Sequence, residues 1–238
     1  MGISITFQKT GKRRIRFELH RFKTKFVKST DMAISVEDLG NSTNFRLFLT
    51  ISYKDLIQFV FDHLKKKSGL TFFYWIFCLG FLSVAIYTRV YAAGKFHESD
   101  ILFHTALGMI ILPVIIIPIH EFLHVIPYYL SGAKNIRVGM DLKQYLFYVT
   151  AHRYVATPLQ FRIVALTPFI IISTGLIIAV ILLPGLWKWS LSLFLFVHAT
   201  MCAGDIALLN LYWINKNKKI YTWDDVDKKE AYFYEKLN

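Results

Sequence analysis

The sequence predicts an all-α polytopic membrane protein. It has about four transmembrane helices, a small cytoplasmic N-terminal α+β region, and a membrane-associated hairpin between helices 2 and 3. Three observations carry this reading. The 238 residues are 55% hydrophobic with a mean hydropathy of +0.41, too apolar for a soluble domain of this size. Four stretches reach the roughly 20 mostly apolar residues that a bilayer crossing needs. The 28 Lys and Arg residues are also shared very unevenly among the segments between those stretches.

Residues 1–67 form the cytoplasmic N-terminal region. Ile3-Ser4-Ile5-Thr6-Phe7 and Ile15-Arg16-Phe17-Glu18-Leu19 alternate apolar with polar, as half-exposed strands do, and Phe45 to Ile51 is a further strand candidate. From Tyr53 to Lys67, Leu56, Phe59, Val60 and Leu64 fall on one helical face. That helix either lies along the inner membrane surface or packs on the preceding strands.

Residues 68–214 form the transmembrane domain. Its spans are Leu70 to Ala93, Ile101 to Leu130, Ile163 to Leu183 and Ser190 to Ile214. Pro113, Pro118 and Pro127 punctuate the second and are expected to kink it. Ser131-Gly132 reads as a helix stop, because glycine accepts the left-handed terminal conformation. Asn135 to Thr157 alternates loosely and reads as a strand or hairpin against the membrane face. Residues 215–238 are read as a cytoplasmic tail.

Charge sets the orientation. Fourteen basic residues precede Leu70, five lie in Ser131 to Arg162 and six follow Ile214, whereas the short loops at Lys95 and Lys188 hold one each. The positive-inside rule then places both termini and the middle loop in the cytoplasm, in a multi-pass protein of the cell membrane. The net charge of +12 is this orientation signal plus attraction to anionic headgroups of the lipid bilayer, and no nucleic-acid partner is expected. No cleavable signal peptide is read, since the first apolar run begins near Leu70. Cys78 and Cys202 both fall within spans, so no disulfide framework is expected.

The chemistry is written at His120-Glu121-Phe122-Leu123-His124. Residues four apart share a helix face, so both imidazoles can reach one zinc ion, and Glu121 is placed to take a proton from a metal-bound water. Ionisable groups at membrane depth are costly and therefore point to function. Catalytic zinc usually has a third protein ligand. His104 is expected near the outer surface, and His152 as a solvated or locally hydrogen-bonded histidine. Asp205 is the favoured third ligand: it lies nine residues from the inner end of its span, at the depth of His120 and His124, and Gly204 beside it permits close helix approach. His198, seven residues earlier on nearly the same face, is a catalytic candidate that could stabilise an oxyanion, orient a ligand, or simply hydrogen-bond across the bundle. Cys202 is expected to line the cavity.

With His198 and Gly204-Asp205 far downstream of the HExxH motif, the stretch from Ile101 to Ile214 resembles the bacterial zincin-type membrane peptidases, which look like compact relatives of the site-2 protease family. The resemblance implies that His120, His124 and Asp205 hold Zn2+ and that Glu121 activates water. The expected function is a membrane-embedded zinc metalloendopeptidase that cleaves a membrane protein or peptide substrate within or next to the bilayer. The competing classes are a non-proteolytic zinc-binding membrane protein and a metal transporter. A transporter has no need of the motif glutamate.

Overall fold

The computed structural model describes residues 34–141 and 146–237. The strands expected at Ile3–Phe7 and Ile15–Leu19 lie outside these residues. After a short capped turn of helix at Val36–Leu39, strand β1 (Phe45–Ser52) leads through a 3-10 turn into helix α1 (Leu56–Lys65). Helix α1 is amphipathic, and it buries Phe59 and His63 while Phe61 stays exposed. Its partner is a helix far along the chain, Ala203–Ile214. There the fully buried Asn210 donates to the carbonyl oxygens of His63 (2.8 Å) and Lys66 (3.3 Å) and accepts from Ser68 Oγ (2.6 Å). One asparagine thus satisfies the backbone groups freed where α1 turns into the first long helix.

Among the described residues, three helices are long and apolar enough to cross a membrane: α2 (Gly69–Ala93), α3 (Glu98–Leu130) and α4 (Pro158–Leu182). Helix α2 opens on a Ser68/Thr71 capping box. Its buried residues Thr71, Tyr74, Cys78, Ala85, Thr88 and Ala92 follow a helical period and form one stripe, along which Thr88 meets Ser192 (2.6 Å) and Tyr74 donates to the Ala199 carbonyl (3.1 Å). The other faces carry exposed apolar side chains, such as Tyr87 at 71% and Val90 at 68%, and Leu182 on α4 reaches 73%. Apolar exposure this continuous is foreign to a soluble surface and natural against acyl chains.

In α3 the expected kinks do not break the rod, which runs from Glu98 to Leu130 as one helix. A π turn at Leu107–Ile111 instead widens it just before Pro113, which has no amide hydrogen to give the ladder. Gly108 lies where a side chain would sit 2.3 Å from the Ser190 carbonyl oxygen, so the crossing there requires glycine. The rod ends at Ser131, and Gly132 takes φ +98° as the stop signal predicts. The hairpin follows: β2 (Ile136–Asp141) pairs antiparallel with β3 (Leu146–Ala151).

Two features differ from expectation. The fourth span is not one straight helix but α5 (Trp187–Met201) and α6 (Ala203–Ile214), bent by 46° at Cys202. The bend falls directly before Gly204, a weak helix former, and puts Asp205 in the first turn of the new helix, where a carboxylate is favoured by the free amides. The chain after Ile214 is also no simple tail. Strands β4 (Ile220–Asp225) and β5 (Glu230–Lys236) join β1 in an antiparallel sheet of order β1-β5-β4. Ile51, Ile220 and Phe233 of that sheet pack in one core with Phe59 of α1, Phe161 of α4 and Ile206, Leu209 and Tyr212 of α6. The sheet is thereby fastened to α1, α4 and α6.

Candidate metal centre

Helix α3 brings His120 and His124 to one face, and the bend at Cys202 turns Asp205 of α6 toward them. His120 Nε2 lies 3.3 Å from one Asp205 carboxylate oxygen and His124 Nε2 lies 3.6 Å from the other. Both separations exceed the roughly 2.7–2.9 Å of a charge-assisted hydrogen bond. They match the spacing of ligands on a tetrahedral zinc ion, where atoms about 2.0–2.1 Å from the metal stand about 3.3–3.4 Å apart. The tautomer of His124 agrees: its Nδ1–H donates to the Val164 carbonyl of α4 (3.0 Å), which leaves the Nε2 lone pair facing Asp205. The donor set of two imidazoles and one carboxylate, mutually within 4.8 Å, suits zinc.

These side chains sit on the wall of a cavity of about 230 Å³. Glu121 lines it beside the ligands, as does Val149 of β3. The hairpin, from Phe147 to Thr150, and the β1-β5-β4 sheet supply more of its lining.

His198, expected as a catalytic candidate, does not line this cavity. It is fully buried behind His120, with ring centroids 5.8 Å apart, because α5 runs away from the cavity before the bend. Its Nδ1 faces Ser173 Oγ (3.4 Å) and its Nε2 faces Cys202 Sγ (3.7 Å). Cys202, expected to line the cavity, is likewise fully buried at the bend. His120, His198 and Cys202 also lie within ligand reach of one another, but two of the three are sealed from the cavity, which leaves no position for water or substrate. His104 hydrogen-bonds Ser190 and packs edge-on to Trp187, remote from the ligands. His152 accepts from the Val226 amide (3.2 Å) and faces Asp227. The grouping of His152, Asp225 and Asp227 is already saturated, since Asp225 caps the amides of Asp227 and Lys228 and Asp227 pairs with Arg137 (2.8 Å).

One cavity residue escaped the sequence reading. Asp224 of β4 lines the cavity beside the sheet and the hairpin, where its carboxylate accepts from Thr150 Oγ1 (2.6 Å) and Tyr53 OH (3.4 Å). Burial pushes its pKa up to about 6, against the lowering effect of those two donors. Burial, and then the Asp224 charge, push the Tyr53 phenol up as well, so that hydroxyl stays a donor. The signal was present in Tyr221-Thr222-Trp223-Asp224, an alternating strand pattern, but nothing local links it to a motif one hundred residues earlier.

Residues 113–221 match the family model described as "Putative zincin peptidase". No curated protein and no solved structure matches the chain. The matched stretch contains His120, Glu121, His124 and Asp205 together with the bend that joins them. Through this segment the chain is similar to a zincin-type peptidase family, for which zinc is the implied cofactor.

Proposed function

We propose that the protein is a membrane-embedded zinc metalloendopeptidase, akin to the site-2 proteases, that hydrolyses peptide bonds within or next to the bilayer. The observation that supports this most is the meeting of His120, His124 and Asp205 at ligand spacing on the wall of a cavity that Glu121 also lines. The two imidazole Nε2 atoms and the Asp205 carboxylate would hold the ion, and the Val164 carbonyl fixes His124 in the tautomer that would bind it. Bound zinc supplies Lewis acidity at the scissile carbonyl and a lowered pKa for water. Glu121 accepts the proton of the attacking water and delivers it to the leaving amine nitrogen. The β2–β3 hairpin beside Glu121 offers backbone groups that align an extended substrate by strand addition. His198 acts through His120 as a positioning residue.

The basic residues flanking the spans put the sheet, the hairpin and both termini on the cytoplasmic side, so cleavage falls near the cytoplasmic boundary of a substrate's membrane segment. A helical substrate must unwind there, because helix hydrogen bonds hide its carbonyls. The test is Glu121→Gln in the purified protein reconstituted into liposomes with membrane-segment peptides. Zinc stoichiometry is expected to stay at that of the unmutated protein while cleavage falls about 10²–10⁴-fold. Cleavage at the unmutated rate would overturn the assigned base.

A further inference from the structure

We propose that Asp224 is a specificity-determining residue that receives the cationic side chain of a substrate lysine or arginine at the sheet end of the cavity, an inference that rests on the peptidase reading above. The carboxylate lines the same cavity as Glu121 and Asp205, and two hydroxyl groups aim it. Among the described residues, no cationic side chain lies within ion-pair distance of it. The chain's own neighbouring cation is turned away. The Arg153 amide donates to the Asp224 carbonyl (3.0 Å), yet the Arg153 guanidinium pairs with Glu37 (2.9 Å). Arg137, on the hairpin, is similarly committed to Asp227.

A partly buried carboxylate held by hydroxyls and kept free of the chain's own cations is a site for an incoming one. The walls suit the stem of that cation. Tyr53 and Tyr148 both line the cavity and meet edge to face with centroids 5.0 Å apart, giving ring surface for an alkyl chain and a charged head. The charge is also where a membrane substrate would carry it. Lys and Arg concentrate at the cytoplasmic ends of membrane segments. With the scissile bond at the metal end and the chain running on toward the sheet, the flanking basic residue arrives at Asp224.

The test uses the full-length Glu121→Gln protein, zinc-loaded and in nanodiscs, so that binding is read without turnover. The probes are dye-labelled, N-acetylated peptides made of one apolar segment followed by Lys, Arg or norleucine, plus a norleucine peptide with a free N-terminus. We expect the Lys and Arg peptides to bind at least about tenfold more tightly than acetylated norleucine, and Asp224→Asn in the same background to bring that ratio close to one. Zinc stoichiometry reports whether the Asn variant is folded. An unchanged ratio in that variant overturns the proposal. So does equal affinity of the parent protein for Lys and norleucine peptides, whatever the fate of the variant. Preference for the free N-terminus over the internal base overturns it too, since the pocket would then take an α-ammonium. Selective binding of the basic peptides with no cleavage by the unmutated protein keeps the Asp224 pocket and overturns the peptidase reading instead. Cleavage indifferent to Lys, Arg or norleucine does the reverse.

Discussion

The two ends of the cavity use the same side chain in opposite surroundings. At the helix end, Asp205 faces two imidazole nitrogens and makes no short hydrogen bond to either. At the sheet end, Asp224 faces two hydroxyl donors, and no cation of the described chain pairs with it. Asp205 stands in the first turn of a helix, among amides that favour its charge. Asp224 sits on a strand, where burial works against its charge. Charge alone therefore does not define a metal ligand. What does is a set of lone pairs converging at the spacing of one ion. The sheet end lacks such a set and keeps a carboxylate for a partner brought from outside.

Exchange of the two acids for alanine is the strongest way to break this comparison. Asp205→Ala should lose stoichiometric zinc and with it all measurable cleavage, whereas Asp224→Ala should keep one zinc per chain, as metal analysis of the purified proteins would read. If Asp205→Ala retained full zinc content, the ligand set would be wrong and the contrast between the two ends would dissolve.

A smaller effect, in pH dependence, sharpens the contrast. Asp224 has a folded-state pKa of about 6 against an ordinary value of 3.8, so it holds its proton more tightly when folded. Its charged form therefore penalises the folded state above about pH 6, and this penalty fades as pH falls toward 4. Asp224→Asn should gain on the order of 2 kcal/mol over the unmutated protein at pH 8 and nearly nothing at pH 4, read as the difference in thermal midpoint across that range. Tyr53, Tyr128, Tyr212 and His152 face Asp224, and repeating the scan in a His152→Gln background removes the imidazole among them. A pH-independent difference would mean that Asp224 carries no penalty.

The smallest expected effect concerns His198. As a group acting through His120, its replacement by Ala should weaken zinc about tenfold in competition with a chelator, and His198→Asn should recover part of that affinity. Unaltered zinc affinity with lowered cleavage would instead restore a direct role in the reaction.

The helical pair at His120 and His124 and the stop at Gly132 were legible because each depends on neighbours a turn or less away. The hairpin and β1 were legible from alternation. Asp205 emerged from depth arithmetic along two spans, which works because a bilayer gives helices a common ruler. The same arithmetic treated the fourth span as straight, and so it brought Cys202 onto the cavity wall together with Asp205 and left His198 open between a catalytic role and a hydrogen bond across the bundle. A bend of 46° at Cys202 separates them. Strand β4 alternates aromatic with polar in Tyr221-Thr222-Trp223, and β5 carries the aromatic run Tyr232-Phe233-Tyr234. Without a visible partner they read as a tail.

What the sequence determined by itself was every feature with a short period: four apolar stretches, the motif that puts two imidazoles on one helix face, and the glutamate beside them. Only the tertiary structure decided which distant groups share a cavity with that motif. Helix periodicity acts over three or four residues and fixes local faces. The pairing of β1 with β5, some 180 residues apart, and the bend that turns Asp205 inward depend instead on how buried surfaces fit together. Asp224 comes to the cavity by that fit.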